Sequence, residues 1–164
     1  MMRAMKFSHD LTYDASPESV AEMLADPAFR EKVCQAMHAV RHDVSVEGSG
    51  AGMSVTVDQT QPSKGIPSFA KKIVGDEIRI VQTESWGSAE KADLLVQIPG
   101  KPGQLRGTIT LDGDSSATTE RVSGDIKVSL PLVAGKLEKL IGDMLAAALR
   151  AENQVGRAWL SGRR

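Results

Sequence analysis

The chain has 164 residues, with 20 Lys+Arg against 21 Asp+Glu and a net charge of −1. That length buries a substantial core and is most simply one domain spanning 1–164. The near balance of charge, the lack of a long basic run and an aromatic content of 4% argue against a nucleic-acid reader.

The only cysteine, Cys34, excludes an internal disulfide and any multi-thiolate metal site; it reads as a small apolar residue on a helix. No run approaches the roughly 18 apolar residues of a membrane span. The opening MMRAMKFSHD has no apolar signal core. The expectation is a cytoplasmic protein without stable membrane insertion, with Met1 to Met5 as a flexible leader.

Phe7, His9, Leu11 and Tyr13 alternate with Ser8, Asp10, Thr12 and Asp14, the pattern of a first strand. Ser16 and Pro17 then open a short helix to about Ala25, and Asp26-Pro27 opens another to about Met37. Val40, His42, Val44 and Val46 share one face of the next strand. GSGAG (Gly48 to Gly52) reads as a hairpin loop, followed by an inward row of Met53, Val55, Val57, Gln59 and Gln61. Matching the two rows pairs Val46 with Met53, Val44 with Val55 and His42 with Val57. Beyond Pro62 a long connection carries a short amphipathic helix with Phe69, Ala70, Ile73 and Val74 as its apolar positions, closed by Gly75.

The stretch IRIVQTESW (Ile78 to Trp86) alternates as a half-buried strand does. Arg79, Val81, Thr83 and Ser85 suit water, whereas the other face turns from Ile78 and Ile80 to Gln82, Glu84 and Trp86. An unpaired buried carboxylate is costly, so one expectation is that Glu84 meets a cation, Arg150 or Arg157, from the last turns of the final helix. The other is that Gln82 and Glu84 are polar anchors at the floor of a cavity. A turn at Gly87-Ser88-Ala89 would place Glu84 opposite Ala92, Gln82 opposite Leu94 and Ile80 opposite Val96. Two more strands follow, with inner rows Leu105, Gly107, Ile109, Leu111 and then Val122, Gly124, Ile126, Val128, Leu130. From Pro131 the period becomes helical. Val133, Leu137, Leu140, Ile141, Met144, Leu145, Ala148, Val155 and Trp159 form one apolar stripe over about 131–160.

One long helix packed across one strongly bent antiparallel sheet makes an α+β domain. The opening FSHDLTYDASPESVAEMLADPAFRE resembles the first strand and Ser-Pro-Glu-capped helix of the START-like (SRPBCC, helix-grip) superfamily. That superfamily includes pollen-allergen-like proteins, lipid-transfer domains and aromatic-polyketide cyclases. Gly48 to Gly52 sits where pollen-allergen-like members carry a glycine-rich loop. FAKKIVGDEIRIVQTESW, with its Gly-Asp and Glu-Ser-Trp, is similar more narrowly to a START-like family of unknown function. The resemblance implies a helix-grip fold: a seven-stranded curved antiparallel sheet, two short helices after the first strand, and a long C-terminal helix. It brings no catalytic motif, and the fold serves binders, carriers and enzymes alike.

The candidate cavity residues fall into three groups. His9, His42, Gln59 and Gln61 line a mouth covered by Ile66, Phe69 and Ile73. Ile80, Gln82, Glu84, Leu94 and Ile98 come from the sheet, and Leu137, Ile141 and Met144 from the long helix. Two inward histidines without a third ligand make no metal site, and no cofactor is implied. The leading expectation is a carrier of a hydrophobic small molecule such as a lipid, isoprenoid or polyketide-like compound. The alternatives are a cyclase or hydratase using His9 or His42 as acid–base near Gln59, and a chaperone-activator-type interaction module with a filled interior. The protein partner such a module would need is not named by the sequence.

Overall fold

The structure is a computed structural model that describes residues 4–162. The chain runs β1 (Met5–Tyr13), α1 (Pro17–Leu24), α2 (Pro27–Ala36), β2 (Arg41–Glu47), β3 (Ser54–Pro62), α3 (Ser68–Val74), β4 (Glu77–Ser88), β5 (Lys91–Gln97), β6 (Gly103–Gly113), β7 (Thr118–Val128) and α4 (Ala134–Leu160). The strands form one seven-stranded sheet in the order β1-β7-β6-β5-β4-β3-β2, antiparallel at every pairing. The sheet is curved, and the fold is the helix grip that the family resemblance implies.

Local chemistry sets the helix ends. Ser16 Oγ accepts from the Ser19 amide and Asp26 Oδ1 from the Ala28 amide, each just before a proline in the first helical turn. These two helices carry the chain from β1 to the far edge of the sheet, so β1 pairs with β7 rather than with β2. Met5 pairs with Ile126 and is half-buried against the core, so the strand takes in the last position of the expected leader. The expected leader's first three positions lie outside the described residues.

Both hairpin registers differ from expectation by two residues. Val46 pairs with Val55, Val44 with Val57 and His42 with Gln59, because Met53 leaves the hairpin and bonds across to Trp86 instead. The loop that permits this has Gly48, Gly50 and Gly52 in the left-handed region. Glu84 pairs with Leu94 and Gln82 with Val96, since Ser88 pairs with Lys91 across a two-residue turn and the strand is irregular between Trp86 and Ser88. A two-residue slip keeps every side chain on its expected face, and so the inner rows survive both corrections.

The 27-residue α4 is about 40 Å long at 1.5 Å per residue. It packs against β1 and β7, and against α1 and α2. Two glycines bring it close. A Cβ on Gly142 would lie 2.8 Å from Met5 Cε, and one on Gly156 would lie 2.6 Å from Tyr13 Cε1. The helix is therefore pulled onto the β1 edge of the sheet. Over β3 to β5 it stands away, and the space beneath it is the cavity.

Candidate ligand-binding cavity

The cavity between α4 and the inner face of the sheet has a volume of about 560 Å³. Its roof is the apolar stripe of α4, including Leu137, Leu140, Ile141, Met144, Leu145 and Ala148. Ile78, Ile80, Val96, Leu105 and Val128 make the apolar part of the floor. Gln59 and Gln61 supply a polar strip on β3, where Gln61 Nε2 donates to Gln59 Oε1 at 2.7 Å. Lys64, Gly65 and Lys101 are both exposed and part of the lining, so the cavity reaches the surface between the β3–α3 connection and the β5–β6 loop. There α3 lies over the mouth, held by a small apolar cluster of Ala70, Val128 and Leu137 with Ile66, Ile73 and Leu140 at its margin.

Next to this space is a chamber of about 40 Å³ that shares Gln82, Val96, Leu105, Leu145 and Ala148 with it as walls. Its other walls include Glu84, Glu120 and Glu152, which are 2%, 1% and 8% exposed. Glu84 accepts four hydrogen bonds. Arg30 Nη1 and Nη2 donate to its two oxygens at 2.7 and 2.8 Å, Gln82 Nε2 donates at 2.6 Å and Trp86 Nε1 at 3.0 Å. Arg30 Nε donates to the Leu24 carbonyl at 2.8 Å, tying the end of α1 to β4 through α2. Burial alone would raise the Glu84 carboxyl; the Arg30 charge and the bonds from Arg30, Gln82 and Trp86 outweigh it and hold Glu84 below the usual carboxylate range. Burial would likewise lower the Arg30 guanidinium, but the Glu84 carboxylate keeps it raised, so the pair is ionised. The expectation of Arg150 or Arg157 as partner was wrong. Arg157 instead donates to the Thr12 carbonyl and hydroxyl.

Glu120 and Glu152 have no such cation. Burial, then repulsion from Glu152, raises Glu120 well above the usual carboxylate value. Burial raises Glu152 to about 7, with Arg30 opposing and Glu84 adding to the rise. Glu120 Oε1 and Glu152 Oε2 are buried without a hydrogen-bond partner.

Of the residues singled out from sequence, Gln59, Gln61, Ile66, Ile73, Ile80, Gln82, Ile98, Leu137, Ile141 and Met144 lie on the wall of the main cavity. Glu84 and Leu94 lie on the inner chamber, which Gln82 also borders. Three residues belong to neither. His9 on β1 is half-buried opposite Val122, and His42 on β2 is half-buried opposite Gln59, one strand beyond the wall. Phe69 is on the outer side of α3 and 36% exposed. The two histidines of the acid–base expectation thus stand outside the cavity wall, and Ile66 and Ile73, not Phe69, line the mouth. Cys34 is buried, and burial lifts its thiol to about 11, so it stays protonated and inert. Sequence reasoning missed Arg30, Glu120 and Glu152.

A family model described as "Protein of unknown function (DUF2505)" matches residues 8–160. The chain belongs to this family. An uncharacterized protein of Mycobacterium tuberculosis H37Rv is 24% identical over 120 residues, covering 70% of this chain and 69% of the relative. A START superfamily protein from Mycobacterium smegmatis superposes with a TM-score of 0.59 at 15% identity, over 92% of this chain and 96% of the other. Norcoclaurine synthase from Thalictrum flavum, solved in complex with dopamine and hydroxybenzaldehyde, superposes with a TM-score of 0.59 at 17% identity, over 93% and 86% of the two chains. At these identities the solved structures establish the START-like fold and leave activity open.

Proposed function

We propose that the protein binds and carries a hydrophobic small molecule in the cavity between α4 and the sheet. The observation that carries this reading is the cavity itself: about 560 Å³, walled mainly by apolar side chains with a few placed glutamines, and reaching the surface beside α3. Ligand pockets of about 300–1,000 Å³ have this mixture of apolar wall and sparse polar groups. The ligand class that fits is an apolar compound of the lipid, isoprenoid or polyketide-like kind. An interaction module with a filled interior would lack such a space. Among the described residues, no helix is long and apolar enough to cross a membrane.

The test is titration with Nile red, a neutral apolar fluorophore, against the wild type and Ala148→Trp. Ala148 lines both chambers, so an indole there occupies the space a ligand needs. Saturable fluorescence with the wild type, weakened at least tenfold in a folded Ala148→Trp, is the expected result. Absent saturation, or equal binding by the two proteins, would reject the cavity as the site.

A further inference from the structure

The inner chamber is chemically unlike the cavity it adjoins. Three carboxylates, from β4, β7 and α4, surround it, and one guanidinium, Arg30 from α2, reaches the group. Arg30 is committed: its Nε bonds the Leu24 carbonyl, and both Nη groups hold Glu84. Glu84 is thereby neutralised, whereas Glu120 and Glu152 each keep one buried oxygen without a donor. Buried acceptors are rarely left so, because an unmade bond forfeits the hydration given up on burial. Both carboxyl groups line the chamber, whose 40 Å³ suits a group the size of water or ammonium. Among the described residues, no three His, Cys, Asp or Glu side chains are grouped to hold a metal ion.

We propose that the inner chamber receives a small cationic amine head of the hydrophobic ligand, anchored by Glu120 and Glu152, with the apolar body lying in the main cavity. This rests on the reading of the main cavity as a ligand site and adds the ligand's polar end to it. An ammonium offers three donors and no acceptor, matching two unpartnered carboxylate oxygens with no donor of their own to offer once ionised. Gln82, which lines both chambers and donates to Glu84, stands between them.

Proton balance follows. Burial raises both Glu120 and Glu152, so each tends to hold a proton while the chamber has no ligand. The groups that bear on the pair are Glu84 from β4, Arg30 from α2 and the Tyr13 phenol from β1. An alkylamine is already protonated below about pH 10. Its entry as RNH3+ lets a carboxylic acid of the pair ionise, and that proton passes to the solvent. Amine affinity therefore rises with pH, by about tenfold per unit for each proton released.

The probes are decylamine, decanol and decanoate, which share a tail and differ in head, each competing with Nile red. The expected order is decylamine at least tenfold tighter than decanol at pH 7, with decanoate weakest. Calorimetry in buffers of different ionisation enthalpy should show proton release on decylamine binding. Glu152→Gln and Glu120→Gln should each abolish the preference for decylamine over decanol. Should one variant not fold, the wild-type order and the other variant still decide the matter. Equal displacement by all three heads, as for a chamber that holds only water, overturns the amine assignment and leaves the cavity reading standing. So does decanoate binding tightest, or an amine preference that survives in Glu152→Gln. If Nile red itself does not bind, both readings fall.

Discussion

Replacing Arg30 by methionine keeps much of the side-chain volume but removes the charge and all three of its recorded hydrogen bonds, one to the Leu24 carbonyl and two to Glu84. Glu84 then stays buried, with only Gln82 and Trp86 as donors. Removing one partner of a buried ion pair costs about 3–5 kcal/mol, chiefly because the other charge is left uncompensated. For a domain of this size that corresponds to a melting-temperature drop of about 6–20 °C. Urea unfolding followed by circular dichroism measures it. The pH dependence has a defined sign. In the wild type, Glu84 is held below its unfolded value of about 4.3, so its contribution is present above that pH and lost as the pH falls through the folded value. Without Arg30, burial dominates and the folded value lies above the unfolded one. The stability deficit of Arg30→Met should then shrink steadily towards acid pH, as Glu84 is protonated in both proteins, and grow as the pH rises. Arg30→Met/Glu84→Gln, which has no stranded charge, should recover most of the loss. A deficit below about 1 kcal/mol, or one independent of pH, would refute the assignment of Arg30 as the neutralising partner.

Three further outcomes are expected. Glu120 and Glu152 are both raised on folding, so the stability they confer is complete below about pH 4.3 and is lost as the pH rises through their folded values, about 7 for Glu152. Wild-type stability should therefore fall as the pH rises from 5 to 7, and Glu152→Gln should flatten that slope in urea melts. Ile73→Asp, placing a charge on the cavity wall, should weaken Nile red binding, whereas Phe69→Asp on the outer side of α3 should leave it unchanged. Gly156→Ala, whose Cβ would meet Tyr13 Cε1 at 2.6 Å, should cost about 1–3 kcal/mol by pushing α4 off β1.

Much of this architecture was legible from alternation and helical spacing. The inner rows of β3, β4, β6 and β7 and the stripe of α4 were read on their true faces, because a period-two pattern survives an even register error. The register of two hairpins was not legible. It depended on three left-handed glycines after β2 and an irregularity at Gly87, which composition signals as turns without fixing their length. Ten of the wall residues could be named because an apolar row that turns polar, as at Gln59 and Gln82, marks where a core stops being filled. The carboxylate chamber had a signal that went unused. Glu120 continues the inward row of Val122, Gly124 and Ile126 by two residues. Glu152 lies four beyond Ala148 and seven before Trp159, on the apolar stripe. Arg30 shares a face with Val33, Cys34 and Met37. A charged residue on an apolar face is a weak signal, because most long charged side chains reach solvent. His9 and His42 were placed on the correct face, yet the wall ends one strand short of His42, and α4 closes down over β1. The separation of α4 from the sheet is a matter of tertiary packing, set by Gly142 and Gly156 against Met5 and Tyr13.

The most direct measurement is native mass spectrometry of the protein after incubation with a total cell lipid extract, with Ala148→Trp carried through in parallel. A bound mass that the wild type retains, that organic extraction removes, and that Ala148→Trp fails to take up is the result predicted for a cavity carrier. A wild type that emerges only at its bare mass, or the same adduct on both proteins, would contradict it.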